Sequence, residues 1–176
     1  MPLNRKWRQY NLKKKGFSLI ELLIVVAIIL IIAAIAIPNL LRSRIAANEA
    51  SAVASLRTLN TAEVTYASTY NSGFTSTLGQ LATPASGQPT WSSADLVDPI
   101  LSGYQMSGGY TGTSFTKNGY TFDYAGGGTY PQIATYTVHA DPMARGSSGQ
   151  RSFYSDQAAV VRANATAQAT NTDNPI

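Results

Sequence analysis

The sequence predicts an α+β chain: one long N-terminal α-helix packed against an antiparallel sheet of three or four strands. Three observations carry this. An almost unbroken apolar run, Leu19 to Ile37, is followed by an alanine-rich stretch with apolar residues at three- and four-residue spacing, out to about Tyr70. Residues 72–118 then hold no steady period. Residues 119–163 alternate in the manner of short strands.

Residues 1–16 contain six cations (Arg5, Lys6, Arg8, Lys13, Lys14, Lys15) and no acid. The other 160 residues carry seven cations against nine acids, so the basic character belongs to the first segment. A basic pI of that origin is no argument for nucleic-acid binding, and none is expected. The absence of cysteine excludes disulfides, thiolate catalysis and cysteine metal sites.

Phe17 to Ile37 is 21 residues, about 31 Å of helix at ~1.5 Å per residue. That matches a hydrocarbon core of roughly 30 Å. The cations before it stay cytoplasmic by the positive-inside rule, which places the chain beyond Pro38 outside. A secretory signal peptide has a shorter apolar core with a small-residue cleavage site after it. Here the run is too long, and Gly16 stands before it. Cleavage at Gly16 would leave the hydrophobic helix on the mature chain. Glu21 lies inside the run, where a carboxylate costs roughly 2.5–3.5 kcal/mol on insertion scales. In isolation it could snorkel to the bilayer surface, but in a packed helical core it needs a partner.

Pro38 cannot donate an intrahelical bond and is expected to kink or locally unwind the helix. Residues 39–71 continue as an amphipathic helix. Arg42, Arg44, Asn48, Glu49 and Arg57 mark the end of the lipid-buried part. Leu56, Leu59 and Tyr66 are expected to face the chain's own sheet, and residues nearer Pro38 to face other subunits. Asn71-Ser72-Gly73 ends the helix. Residues 72–118 read as an excursion on the domain edge, with a short helix around Ser93–Leu101. Such a long irregular segment is uncommon unless functional.

Tyr120, Phe122 and Tyr124 share one strand face, Gly126-Gly127-Gly128 reads as a turn, and Ile133 to Ala140 as the next strand. Arg151–Ser155 and Ala158–Arg162 form a hairpin around Asp156-Gln157. One apolar face of this meander should cover the helix. The tail, residues 164–176, is polar and reads as flexible. Its Asn164-Ala165-Thr166 fits a glycosylation sequon, a triplet that is common by chance.

No catalytic constellation appears. His139 is the only histidine and reads as a surface or edge-strand residue. No Ser-His-Asp set, histidine cluster or phosphate loop is present. Asp141, Asp156 and Asp173 are weak candidates for Ca²⁺, their spacing being unspecific. No cofactor and no catalytic residue are expected.

Lys13 to Glu21, the run Leu22–Ile29 and then Ala36-Ile37-Pro38 resemble the class III leader of type IV prepilins and of their relatives, the type II secretion pseudopilins. The order of long helix, loop and meander resembles the pilin fold. Tyr136 to Ala163 is similar, more loosely, to the C-terminal part of pilins and major pseudopilins. The resemblance implies leader cleavage between Gly16 and Phe17 by a prepilin peptidase and N-methylation of Phe17. It further implies inner-membrane assembly machinery and polymerisation into a homopolymeric surface filament. Before assembly the chain would sit in a bacterial inner membrane as a single-pass protein. Glu21 would meet the Phe17 amine of a neighbouring subunit, a charge pair that sets stagger. Two alternatives stand beside the pilus subunit: a major pseudopilin of a type II secretion system, and a signal-anchored enzyme or binding module.

Overall fold

The computed structural model describes residues 16–85, 87–105, 109–110, 112–129 and 132–176. The leader cations Lys13, Lys14 and Lys15 lie outside them. Helix α1 runs Leu19–Tyr70, with Pro38 inside it. By compactness the chain divides into residues up to Asn39 and the unit Leu40–Ile176.

In the first unit the helical assignment continues through Pro38, where unwinding was one of the two expectations. Proline still removes the donor that the Ala34 carbonyl would take from it. The apolar side chains here are exposed all round, from Phe17 to Ile37.

In the second unit, a separate two-stranded ladder joins β1 (Tyr104–Gln105) to β2 (Gly109–Tyr110). Helix α1 lies against a six-stranded antiparallel sheet, larger than the three or four strands expected. The strands are β3 (Ser114–Lys117), β4 (Tyr120–Thr129), β5 (Gln132–Pro142), β6 (Ser152–Asp156), β7 (Arg162–Asn164) and β8 (Asn174–Pro175). They pair in chain order, an uninterrupted meander. The inner face of the sheet carries Tyr120, Phe122, Tyr136, Val138 and Phe153, which form the core with Leu56, Leu59 and Tyr66 of α1. Thus the helix stripe faces the sheet, as the spacing predicts.

The two additional strands come from segments that composition alone assigns to loop or tail. Strand β3 belongs to the 72–118 segment and turns into β4 through Asn118-Gly119, both at positive φ. Asn-Gly is the residue pair that a tight type I′ turn requires. Strand β8 pairs with β7, with Arg162 opposite Pro175. Residues 164–176 are therefore folded, where a flexible tail was expected. Arg145 donates to the carbonyls of Gln150, Ala165 and Ala167 and to the Ser152 hydroxyl. Arg162 donates to Asp173 O. Polar residues are held here by backbone acceptors, a source of order that polarity does not reveal.

Two further expectations are corrected. No helix forms at Ser93–Leu101; a short 3-10 turn forms instead at Leu78–Leu81. Both leucines are fully buried in the core, which anchors this segment. Nor do Gly126–Gly128 turn the chain: they continue β4, paired to Tyr136, Thr135 and Ile133, with a bulge between Gly127 and Gly128. A Cβ on Gly126 would stand 2.6 Å from the Thr75 carbonyl oxygen. Glycine there lets the start of the irregular segment lie directly on the strand. The last described pair of the β4–β5 ladder is Thr129 with Gln132; residues 130–131 lie outside those described.

Candidate processing and assembly site

Gly16, Phe17 and Ser18 precede the first helical residue, Leu19. Around Gly16 the space is open: a Cβ there would meet nothing within 4 Å. Phe17 is 86% exposed. The Gly16–Phe17 peptide thus lies on accessible backbone just ahead of the helix.

Glu21 is not idle in the single chain. Its Oε2 accepts a hydrogen bond from the Ser18 N–H at 2.8 Å, while Leu22 N–H donates to Ser18 O at 3.2 Å. Ser18 occupies the N-cap position and Glu21 the third helical position, the reciprocal half of a capping box. A carboxylate in the first turn also faces the positive end of the helix dipole. These bonds offset part of the cost of a charge in an apolar segment. Glu21 Oε1 accepts no hydrogen bond among the described residues.

The most apolar stretch of α1 has none of its residues buried. An apolar surface this continuous requires either lipid or other helices around it. Among the described residues of the first unit, no second element covers it.

The second unit holds two buried carboxylates that the sequence did not single out as sites. Glu49 is buried and accepts the N–H groups of Gln150 (2.9 Å) and Arg151 (3.1 Å) on Oε1. Its Oε2 takes the Arg151 guanidinium through two nitrogens, both at 2.9 Å. Burial pushes this carboxyl up, but the two N–H groups and the guanidinium outweigh it and hold it below its ordinary value of 4.5. One side chain of α1 thereby ties down the loop between β5 and β6. Glu49→Ala would strip the acceptor from two backbone donors and the guanidinium together. A destabilisation of about 2–3 kcal/mol is expected, read as a lowered midpoint in urea unfolding with the slope unchanged.

Glu63 is fully buried, and among the described residues no cation pairs with it. It accepts the Thr75 N–H (2.9 Å) and hydroxyl (2.6 Å), and Tyr124 OH donates to Thr75 O (2.8 Å). Burial raises its pKa above 4.5, and the Thr75 and Tyr124 bonds only partly counter this.

The remaining sequence candidates are dispersed. His139 stands on β5, an interior strand and not an edge, half-buried and edge-on to Tyr154 with ring centres 5.1 Å apart. Its Nδ1 is buried and has no hydrogen-bond partner among the described residues. Asp141 accepts Gln168 Nε2, Asp156 accepts Tyr154 OH and the Ala158 N–H, and Asp173 accepts Asn164 Nδ2 and Thr170. Among the described residues no group of three or more His, Asp or Glu side chains is placed to share a metal ion. The sequon asparagine is engaged as well: Asn164 Nδ2 donates to Asp173 at 2.9 Å, and its oxygen takes the Thr166 and Ala167 N–H groups.

Residues 11–37 match the family model described as the prokaryotic N-terminal methylation motif. The chain is 45% identical over 58 residues to the type IV major pilin protein PilA of Myxococcus xanthus, covering 33% of this chain and 26% of that protein. It is 36% identical over 98 residues to the type IV wide pilus major component PilA4 of Thermus thermophilus, covering 56% of this chain and 75% of that protein. The match therefore spans about a quarter of the first relative and three quarters of the second. No solved structure matches.

Proposed function

Since the chain belongs to the type IV pilin family, we propose that it is a structural subunit of a type IV pilus, stored in the membrane through residues 17–38 and polymerised through that same helix. The observation that carries this reading is the pairing of a methylation-type leader with an apolar helix that nothing covers among the described residues of its own unit. Pilin-family proteins are structural, and no catalytic role is assigned to this one. The relatives matched are pilus subunits, so the pseudopilin reading is not favoured.

In mechanism, the peptidase cuts between Gly16 and Phe17, removing Lys13, Lys14 and Lys15 with the leader. The cut creates an amine at Phe17, which the same enzyme methylates. The helix then leaves the bilayer and enters a bundle of identical helices. Both surroundings are apolar, so the transfer is nearly balanced in hydrophobic terms. Register comes from charge: Glu21, held by Ser18 through one oxygen, presents the other to the Phe17 amine of a neighbour. An ATP-driven machine in the inner membrane supplies the extraction work. The sheet unit faces outward and sets surface chemistry, whether for adhesion, motility or DNA uptake.

Mass spectrometry of the purified subunit tests this reading. The expected N-terminus is N-methylated Phe17; a chain still beginning at Met1 would refute it. Shearing cells should release fibres containing the subunit, whereas protein confined to the periplasm would argue against a surface pilus.

A further inference from the structure

We propose that a polar cavity at the start of the second unit holds the phosphate of an anionic phospholipid headgroup from the bilayer in which the chain is stored. This rests on the reading of residues 17–38 as a membrane-spanning segment. The cavity is about 260 Å³ and is lined by Leu41 and Arg44 of α1, the hairpin tip Asn118-Gly119, and Ser147 and Ser148 of the β5–β6 loop.

Four observations support this occupant. The first is charge: Arg44 is exposed and no carboxylate lies within ion-pair distance of it among the described residues. No acid lines the cavity. The second is position. Leu41 and Arg44 come only four and seven residues after Ile37, the last residue of the apolar run, so they are near it in the chain. Leu41 gives the cavity one apolar edge, which suits a ligand that continues into acyl chains.

The third is that the walls are fixed. Asn48 Nδ2 donates to Ser148 O at 2.7 Å, and Asn118 Nδ2 to Ser51 Oγ at 2.7 Å. Both wall segments are thus fastened to α1. The fourth is space. A Cβ on Gly119 would stand 2.8 Å from Ser148 Cβ, so hairpin and loop come together only because that side chain is missing. The Ser148 hydroxyl already donates to Ala144 O, so the neutral donors left to phosphate oxygens alongside the cation are the Ser147 hydroxyl and the second N–H of the Asn118 amide. The neighbouring cation, Arg42, does not line the cavity and serves as the internal control.

Native mass spectrometry of the full chain from mixed micelles of phosphatidylglycerol and phosphatidylcholine reads the preference directly. Wild-type protein is expected to retain phosphatidylglycerol several-fold over phosphatidylcholine. Arg44→Gln should abolish that preference, Arg44→Lys should keep part of it, and Arg42→Gln should leave it intact. An unchanged preference in Arg44→Gln overturns the proposal. Equal loss in Arg42→Gln also overturns it, since attraction would then be diffuse. Hydrogen exchange at residues 117–119 and 144–148 separates the sources. Protection by phosphatidylglycerol nanodiscs but not by inorganic phosphate supports the membrane lipid. Equal protection by inorganic phosphate overturns it, and protection that arises only on polymerisation overturns it in favour of a neighbouring subunit. Vesicle flotation is a separate measurement: a chain that does not float has lost the membrane reading itself, whatever Arg44 does.

Discussion

Glu21→Val is expected to insert into membranes normally and to yield no fibres of wild-type stagger. Valine favours insertion, so the membrane step cannot be what fails. What fails is the burial of the Phe17 amine in the helical core. With its partner gone, that cation is left unpaired, at a cost of about 3–5 kcal/mol per subunit. This corresponds to ~10²–10⁴-fold weaker association at each addition. The hydrogen bond from Ser18 N–H to Glu21 introduces a competing account, in which the carboxylate matters only as a helix cap. Loss of a cap costs about 0.5–2 kcal/mol. Glu21→Gln separates the two, because an amide oxygen still accepts from Ser18 but carries no charge. Failure of Glu21→Gln to assemble, as counted in sheared fractions, assigns the role to charge. Normal fibres from that variant would assign it to capping, and the proposed function of Glu21 would be wrong.

The cap was readable and shows how one signal hides another. Ser18 and Glu21 have the spacing of a capping box ahead of an apolar run, yet the cost of a carboxylate in a membrane segment draws attention to distant partners first. Asn118-Gly119 is a similar case: it is a strong hairpin signal, but its first strand, Ser114–Lys117, is only four residues long and sits in a segment dominated by Gly, Ser and Thr. The helix stripe Leu56, Leu59, Tyr66 and the strand face Tyr120, Phe122, Tyr124 were legible because periodicity reports burial directly. By contrast, Glu49 and Arg151 are separated by 102 residues. No local pattern records that kind of pairing, and the same holds for Arg145 and the carbonyls of the C-terminal segment. Order in residues 164–176 depends on acceptors supplied by the backbone, which every residue type possesses.

Glu63 yields the largest expected effect on stability, and its direction depends on the substitution. Glu63→Ala removes the acceptor for the Thr75 N–H and hydroxyl and leaves a void beside Tyr124, so a loss of about 3–4 kcal/mol is expected. Glu63→Gln keeps the shape and an oxygen for the Thr75 N–H, and removes only the ionisable group. Burial holds the Glu63 pKa in the folded chain above the 4.5 of an exposed glutamate. Its contribution to stability is therefore complete below pH ~4.5. It declines as pH rises through the folded value, because the unfolded chain ionises there first. Glu49 has the opposite slope: its lowered pKa gives stability present above 4.5 and lost as pH falls through the folded value. Thermal unfolding of wild type and Glu63→Gln between about pH 4 and 8 isolates the Glu63 contribution. The Tm of the Gln variant relative to wild type should rise as pH increases from 4.5. A constant offset across that range would mean that Glu63 ionises in the folded state as readily as in water. The buried carboxylate would then be held by stronger donors than the two from Thr75.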